Sequence, residues 1–241
     1  MPYRLPTQSD FPHSIHLTIT LPPPTSPQLT NILILLHGLG DTSASFTTLG
    51  RQLALPETTC ISLQAPTPLP FELGGFHWGD DIQFDQGTGS MEFDTGFTKT
   101  IKIIKEDIIE KGLVSKCGYK HREIMFLGFG QGAMAAIAAA TSMTEELGGI
   151  ISIGGPIPAS CKHAKGLTTP ILVLGGSSNT LITRTALTNV KASFQNVEYH
   201  KWSKAGDSMP QSREEMLPIM RFFARRLKSR KGVPEGSVEI S

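Results

Sequence analysis

Three cysteines in 241 residues, Cys60, Cys117 and Cys161, are too few and too scattered for a disulfide framework or a metal knuckle. An odd thiol count fits a reducing compartment, so a cytoplasmic address and no structural metal are expected. No apolar run approaches the roughly 18 residues of a membrane span, and MPYRLPTQSDFPHS at the start has neither the apolar core of a secretory leader nor a transit-peptide pattern. Charge of one sign is also missing. A formal balance of +1 gives no broad field for nucleic acid or an anionic surface, so no nucleic-acid partner and no membrane span are expected. Aromatic residues make up 7% of the chain, and no Pro/Ser/Gly-rich linker interrupts its middle. The length suits one α/β domain over 1–241, with its core at about 13–230 and a tail at each end.

What the chain does contain is alternation. SIHLTITLP (14–22) alternates apolar Ile15, Leu17 and Ile19 with polar residues, as a half-exposed strand near a sheet edge does. Residues 31–38, 59–63, 123–130, 150–155 and 170–176 are continuous apolar runs, most ending in glycine, as in strands buried on both faces. Helical spacing lies between them, clearest in Ile101, Ile104, Ile108 and Ile109 and in the alanine-rich 132–141. Such an order predicts a mainly parallel sheet covered on both sides, with function at the carboxyl ends of its strands.

The remaining segments are less regular. Residues 65–96 form a connection rich in Gly, Pro, Asp and aromatics, of a length usually functional or mobile. The last helix is predicted to start at Ser212, with a capping box to Glu215, and to kink or restart at Pro218. Its basic end, RFFARRLKSRK, reads as a solvated face beside a core stripe of Phe222, Phe223 and Leu227.

Two motifs carry chemistry. LLHGLGD (35–41) follows a buried strand, and FLGFGQGAM (126–134) has the spacing of a nucleophile elbow, Gly-x-Ser-x-Gly, with Gly130 in place of the serine. Together with APTPLP and Trp78, a Pro-Ile-Leu strand at 170–172 with a glycine turn, and EEMLPIMRFF in the last helix, they give roughly residues 30–227 a clear likeness. In motif and order this stretch resembles the carboxylesterase, lysophospholipase and acyl-protein thioesterase family of α/β-hydrolases.

The resemblance implies a three-layer α/β-hydrolase fold with a mainly parallel sheet, needing no cofactor. It also implies a Ser-Asp-His triad, because a serine hydroxyl attacks only when an imidazole takes its proton and an acid steadies that imidazole. All three positions are substituted here. Gly130 stands for the serine, Asn179 in LGGSSNTLI for the acid, and Asp207 in KWSKAGDSMPQS for the histidine. Removing a triad costs on the order of 10⁶ in turnover.

Backbone donors outlast side-chain changes, and the resemblance assigns the oxyanion hole to the N–H groups of Leu39 and Gln131. It assigns the acyl-groove loop to residues 71–81, where Leu73, Phe76 and Trp78 either line an apolar groove or pack on the core. The chain is expected to be a degenerate pseudohydrolase that binds an acyl or carbonyl ligand, or presents its surface to a protein partner. The alternative is an active ester or thioester hydrolase with relocated groups. Ser177 or Ser178 with Asp207 and His200 is one candidate set, and Cys161 with His163 is another. His200 reads as a strand residue, and Asn179 as the cap of the helix that follows.

Overall fold

The computed structural model describes residues 4–23, 30–70, 73–84, 87, 91–92, 94–161 and 164–229. In chain order it forms β1 (Leu17–Thr20), β2 (Asn31–Leu36), α1 (Ser43–Leu53), β3 (Thr58–Leu63) and four two-residue strands. The short strands are β4 (Thr67–Pro68), β5 (Phe76–His77), β6 (Gln83–Phe84) and β7 (Met91–Glu92). Then come α2 (Thr98–Lys102), β8 (Ile124–Phe129), α3 (Gln131–Thr141), β9 (Gly149–Ile153), β10 (Ile171–Gly175), α4 (Arg184–Ser193), β11 (Val197–Lys201) and α5 (Arg213–Arg226).

Seven strands make the central sheet, in the order β1-β3-β2-β8-β9-β10-β11. Only β1 is antiparallel, pairing with β3 at one edge; all other pairs are parallel. The half-buried LTIT of β1 confirms the edge position that its alternation predicts. The continuous apolar runs are the central strands, and they work on both faces. Ile32, Ile34 and Leu36 of β2 join one core with Ile104, Ile108 and the alanines of α3. Leu33 and Leu35 join a second core with Phe46 of α1 and Ile219, Phe222 and Phe223 of α5. This is the three-layer α/β-hydrolase arrangement.

Two helices depart from the sequence pattern. The helix begun by α2 continues through Ile103–Lys116 with π-type winding, and its buried residues Ile104, Ile108, Ile109, Gly112 and Leu113 recur every four to five positions. That spacing suits the wider turn, in which the Cys117 N–H reaches back five residues to the Gly112 carbonyl. α5 starts where expected, with Ser212 accepting from the Glu215 N–H at 3.2 Å. The predicted restart at Pro218 does not occur, and Arg213–Arg226 runs as one helix. Burial of Ile219, Phe222 and Phe223 just beyond the proline holds it to the sheet. In the described part of the basic end, Arg221 and Arg225 are exposed, Arg225 pairing with Glu198, while the half-buried Arg226 donates to the Gly148 carbonyl; Arg230 and Lys231 lie outside the described residues. The segment GVPEGSVEIS lies outside the described residues.

α3 sits against β2 through a glycine. A Cβ on Gly132 would lie 2.3 Å from the His37 carbonyl oxygen and 2.4 Å from that of Leu36, so only hydrogen fits. Gly132→Ala is therefore expected to destabilise the fold by about 1–3 kcal/mol, the usual cost of overpacking, as read by urea denaturation. An unchanged midpoint would show that α3 is free to move outward.

Candidate active site

β8 ends at Phe129 and α3 begins at Gln131, leaving Gly130 alone in the turn between them. Its backbone, φ 52° and ψ −120°, lies in a region that side chains with a Cβ adopt only under strain. The turn is pinned on both sides. The Gly130 N–H donates to the Ile153 carbonyl at 2.8 Å, and its carbonyl accepts from the N–H groups of Ala133 and Met134, each at 3.1 Å. A Cβ built on Gly130 meets nothing within 4 Å. The elbow geometry is thus retained, with open space where a nucleophile would stand.

The neighbouring turn, residues 37–41, is held from below by the buried His37. Its Nε2 accepts from the Ala65 N–H at 3.0 Å, so the ring proton sits on Nδ1 and is donated to the Gly38 carbonyl at 2.7 Å. Burial pushes the imidazole below its ordinary value, keeping it neutral. Gly40 and Asp41 are clipped to Phe76 by two backbone hydrogen bonds of 2.9 and 3.1 Å.

Trp78 joins this turn to the elbow. Its indole N–H donates to the His37 carbonyl at 2.7 Å, and its backbone N–H donates to Gln131 Oε1 at 2.8 Å. Its carbonyl accepts from the Thr100 hydroxyl at 2.6 Å. Trp78 is 1% exposed, so it is a core residue and not part of an open groove wall. Phe76 is half-buried and packs against the core, while Leu73 is 58% exposed. The three residues expected along a groove therefore stand at three depths. Asp80 is engaged as the cap of α2, accepting from the N–H groups of Thr98 and Lys99 at 2.8 and 2.9 Å.

At the far side, Asp207 does not face a base. One carboxylate oxygen accepts from the Gly176 N–H at 3.0 Å and the Thr180 hydroxyl at 2.6 Å, and the other from the Leu181 N–H at 2.8 Å. The same two loops are joined again by Ser177 N–H to the Lys204 carbonyl and Gly206 N–H to the Ser178 carbonyl, both at 2.7 Å. Asp207 thus reaches into the loop of residues 176–181 and fastens it.

Asn179 is exposed and left-handed, at φ 48°, a conformation that asparagine tolerates. It does not cap the next helix. Thr183 does so, accepting from the Ala186 N–H at 3.1 Å, because α4 begins four residues later than the asparagine suggests.

Among the described residues, no hydrogen bond joins Ser177, Asp207 and His200. Ser177 Oγ donates toward the Ser203 and Lys204 carbonyls, and His200 is exposed on β11. Cys161 is buried, and His163 lies outside the described residues.

The phospholipase/carboxylesterase family pattern matches residues 23–227. The chain belongs to that family. An uncharacterised hydrolase of Schizosaccharomyces pombe is 38% identical to it over 136 residues, 54% of this chain and 55% of that protein. Acyl-protein thioesterase 1 of Saccharomyces cerevisiae is 30% identical over 156 residues, 58% and 66% of the two chains. The matched stretch thus spans about half the length of the S. pombe relative. Among solved structures, esterase PE8 superposes with a TM-score of 0.68 at 18% identity, covering 88% of this chain and 99% of its own. Acyl-protein thioesterase 2 of Zea mays gives 0.61 at 18% identity over the same shares. At those identities the structural likeness establishes the fold.

Sequence reasoning missed Thr180 and His37 as organisers of the site. Thr180 adjoins the substituted acid position, and His37 lies within the LLHGLGD motif; in each case the neighbouring motif residue drew the attention.

Two outcomes are expected. Asp207→Ala leaves three donors without their carboxylate and should cost about 1.5–3 kcal/mol in chemical denaturation, whereas a purely solvent-facing aspartate would cost less than about 0.5 kcal/mol. Acid should also destabilise the protein. Burial lowers both His37 and His77 from their ordinary 6.5, so as pH falls below that value the unfolded chain takes up protons that the folded chain refuses. Stability present above about pH 6.5 is then lost by up to ~1.4 kcal/mol per pH unit for each group, until the folded pKa is reached. Melting temperature against pH reads this, and the slope should flatten in His37→Gln.

Proposed function

We propose that this chain is a catalytically degenerate member of the phospholipase/carboxylesterase family, which uses the former elbow to bind an acyl or carbonyl-bearing ligand. The observation that carries the reading is Gly130, whose backbone keeps the elbow turn while the space before it stays open. Leu39, in the turn after β2, and Gln131, the first residue of α3 where the helix dipole favours negative charge, are the backbone N–H groups that this reading points at a ligand oxygen. Gly130 offers no nucleophile, Asp207 is committed to Gly176, Thr180 and Leu181, and Asn179 faces solvent. Similarity to a yeast protein named acyl-protein thioesterase favours an acyl chain over other carbonyl compounds.

Chemistry and binding are tested separately. With a fluorophosphonate probe, the native chain should remain unlabelled beside an intact family member, while Gly130→Ser/Asn179→Asp/Asp207→His gains labelling. Stoichiometric labelling of the native chain would sink the degenerate reading and favour a hydrolase with relocated groups. Binding is read by calorimetric titration with octanoate, expected to saturate and to weaken at least ~10-fold in Leu39→Pro, which lacks one of the two donors. Equal affinity in a folded Leu39→Pro protein would place the ligand elsewhere.

A further inference from the structure

β11 closes the sheet on one side with no strand beyond it among the described residues, and all but its first residue are exposed. Its hydrogen-bonding parity is fixed by its neighbour. The Trp202 N–H donates inward to the Gly175 carbonyl, and the Asn196 carbonyl accepts inward from Ile171, so even-numbered residues face β10. Val197, Tyr199 and Lys201 therefore present their N–H and C=O groups outward. Beside them lies a groove of about 280 Å³ between β11 and α5, lined by Tyr199, His200, Leu217 and Pro218 among others. Tyr199 is 37% exposed and Leu217 43%.

We propose that this edge pairs with β11 of a second copy of the chain, antiparallel about a two-fold axis at Tyr199. The sequence VEYHK is complementary to itself in that register. Tyr199 opposes Tyr199 of the copy as a hydrogen-bonded pair, and Val197 and Lys201 oppose each other, so all three outward-facing residues exchange their backbone bonds. On the opposite face Glu198 meets the imidazole of His200 twice, and no like charges stand across from one another. Each Glu198 carboxylate, already paired with Arg225 of its own α5, then lies between a guanidinium and an imidazole.

Neighbouring registers fail on the same criteria. An axis at residue 198 sets two carboxylates together, and one at 200 sets two imidazoles together with no outward N–H at the axis. The occupant is a second copy because the charge order is its own complement, as a two-fold interface requires. This inference is independent of the ligand reading at the elbow.

Parity also supplies the test. The outward Tyr199 N–H makes no bond to β10, so Tyr199→Pro removes an interface donor while leaving the ladder within the chain intact. Light scattering during size exclusion of the full-length protein at about 100 µM should give a dimer mass for the native chain and a monomer mass for Tyr199→Pro, with circular dichroism unchanged. In the proposed register the two Tyr199 Cα atoms lie about 5.5 Å apart, within disulfide range. Tyr199→Cys should then form a covalent dimer under diamide, while Lys201→Cys, opposite Val197 of the copy, should not. The native thiols are buried. A monomeric native chain, a dimer unaffected by Tyr199→Pro, or equal crosslinking at 199 and 201 would each overturn the proposal.

Discussion

A single indole holds together the parts from which a hydrolase site is made. Trp78 spends its ring N–H on the turn after β2 and its backbone N–H on the first side chain of α3, while Thr100 secures its carbonyl. Its hydrogen bonds add to the close approach of Gly132 to the His37 carbonyl in tying the turn carrying Leu39 to the helix carrying Gln131. Its burial leaves these polar bonds no water to compete with them, so losing one would strand a buried donor or acceptor. The placement of this turn against the start of α3 is therefore set by packed structure. The turn at Gly130 is likewise held by the backbone, without any side chain of its own.

The same division between scaffold and reactive groups governs the far side of the site. A histidine loop has little reason to stay in place once its imidazole has no partner. Here Asp207 supplies the reason, with three acceptor contacts and two flanking backbone hydrogen bonds joining residues 176–181 to 203–207. A carboxylate suits this task because it accepts in several directions at once, whereas a neutral imidazole has one acceptor nitrogen.

The strands were legible because burial on both faces strongly favours apolar residues, with only a few buried polar ones such as Thr59, Ser62 and Ser152 among them, so each run in the sequence became a run in the sheet. The elbow and its missing serine were legible for a related reason, since their glycines answer to steric contacts such as that of Gly132 with the Leu36 and His37 carbonyls. Less could be read where several residues compete for one local role. Asn179, Thr180 and Thr183 are all plausible caps or turn residues, and only the start of α4 decides among them. Trp78 could be assigned to a loop of aromatic character but not to core or groove, because depth depends on contacts with residues more than 40 positions away. Pro218 was expected to kink or restart a helix that runs through it from Arg213 to Arg226, held by the burial of Phe222 and Phe223.

The fastening of residues 176–181 by Asp207 has a further consequence for how this protein can change. A lone histidine placed at 207 would forfeit the latch to Gly176, Thr180 and Leu181. A lone serine at 130 would carry backbone strain with nothing to activate it. Histidine at 207 and serine at 130 would thus each weaken the protein when introduced alone, so a change at both positions passes through a less stable intermediate.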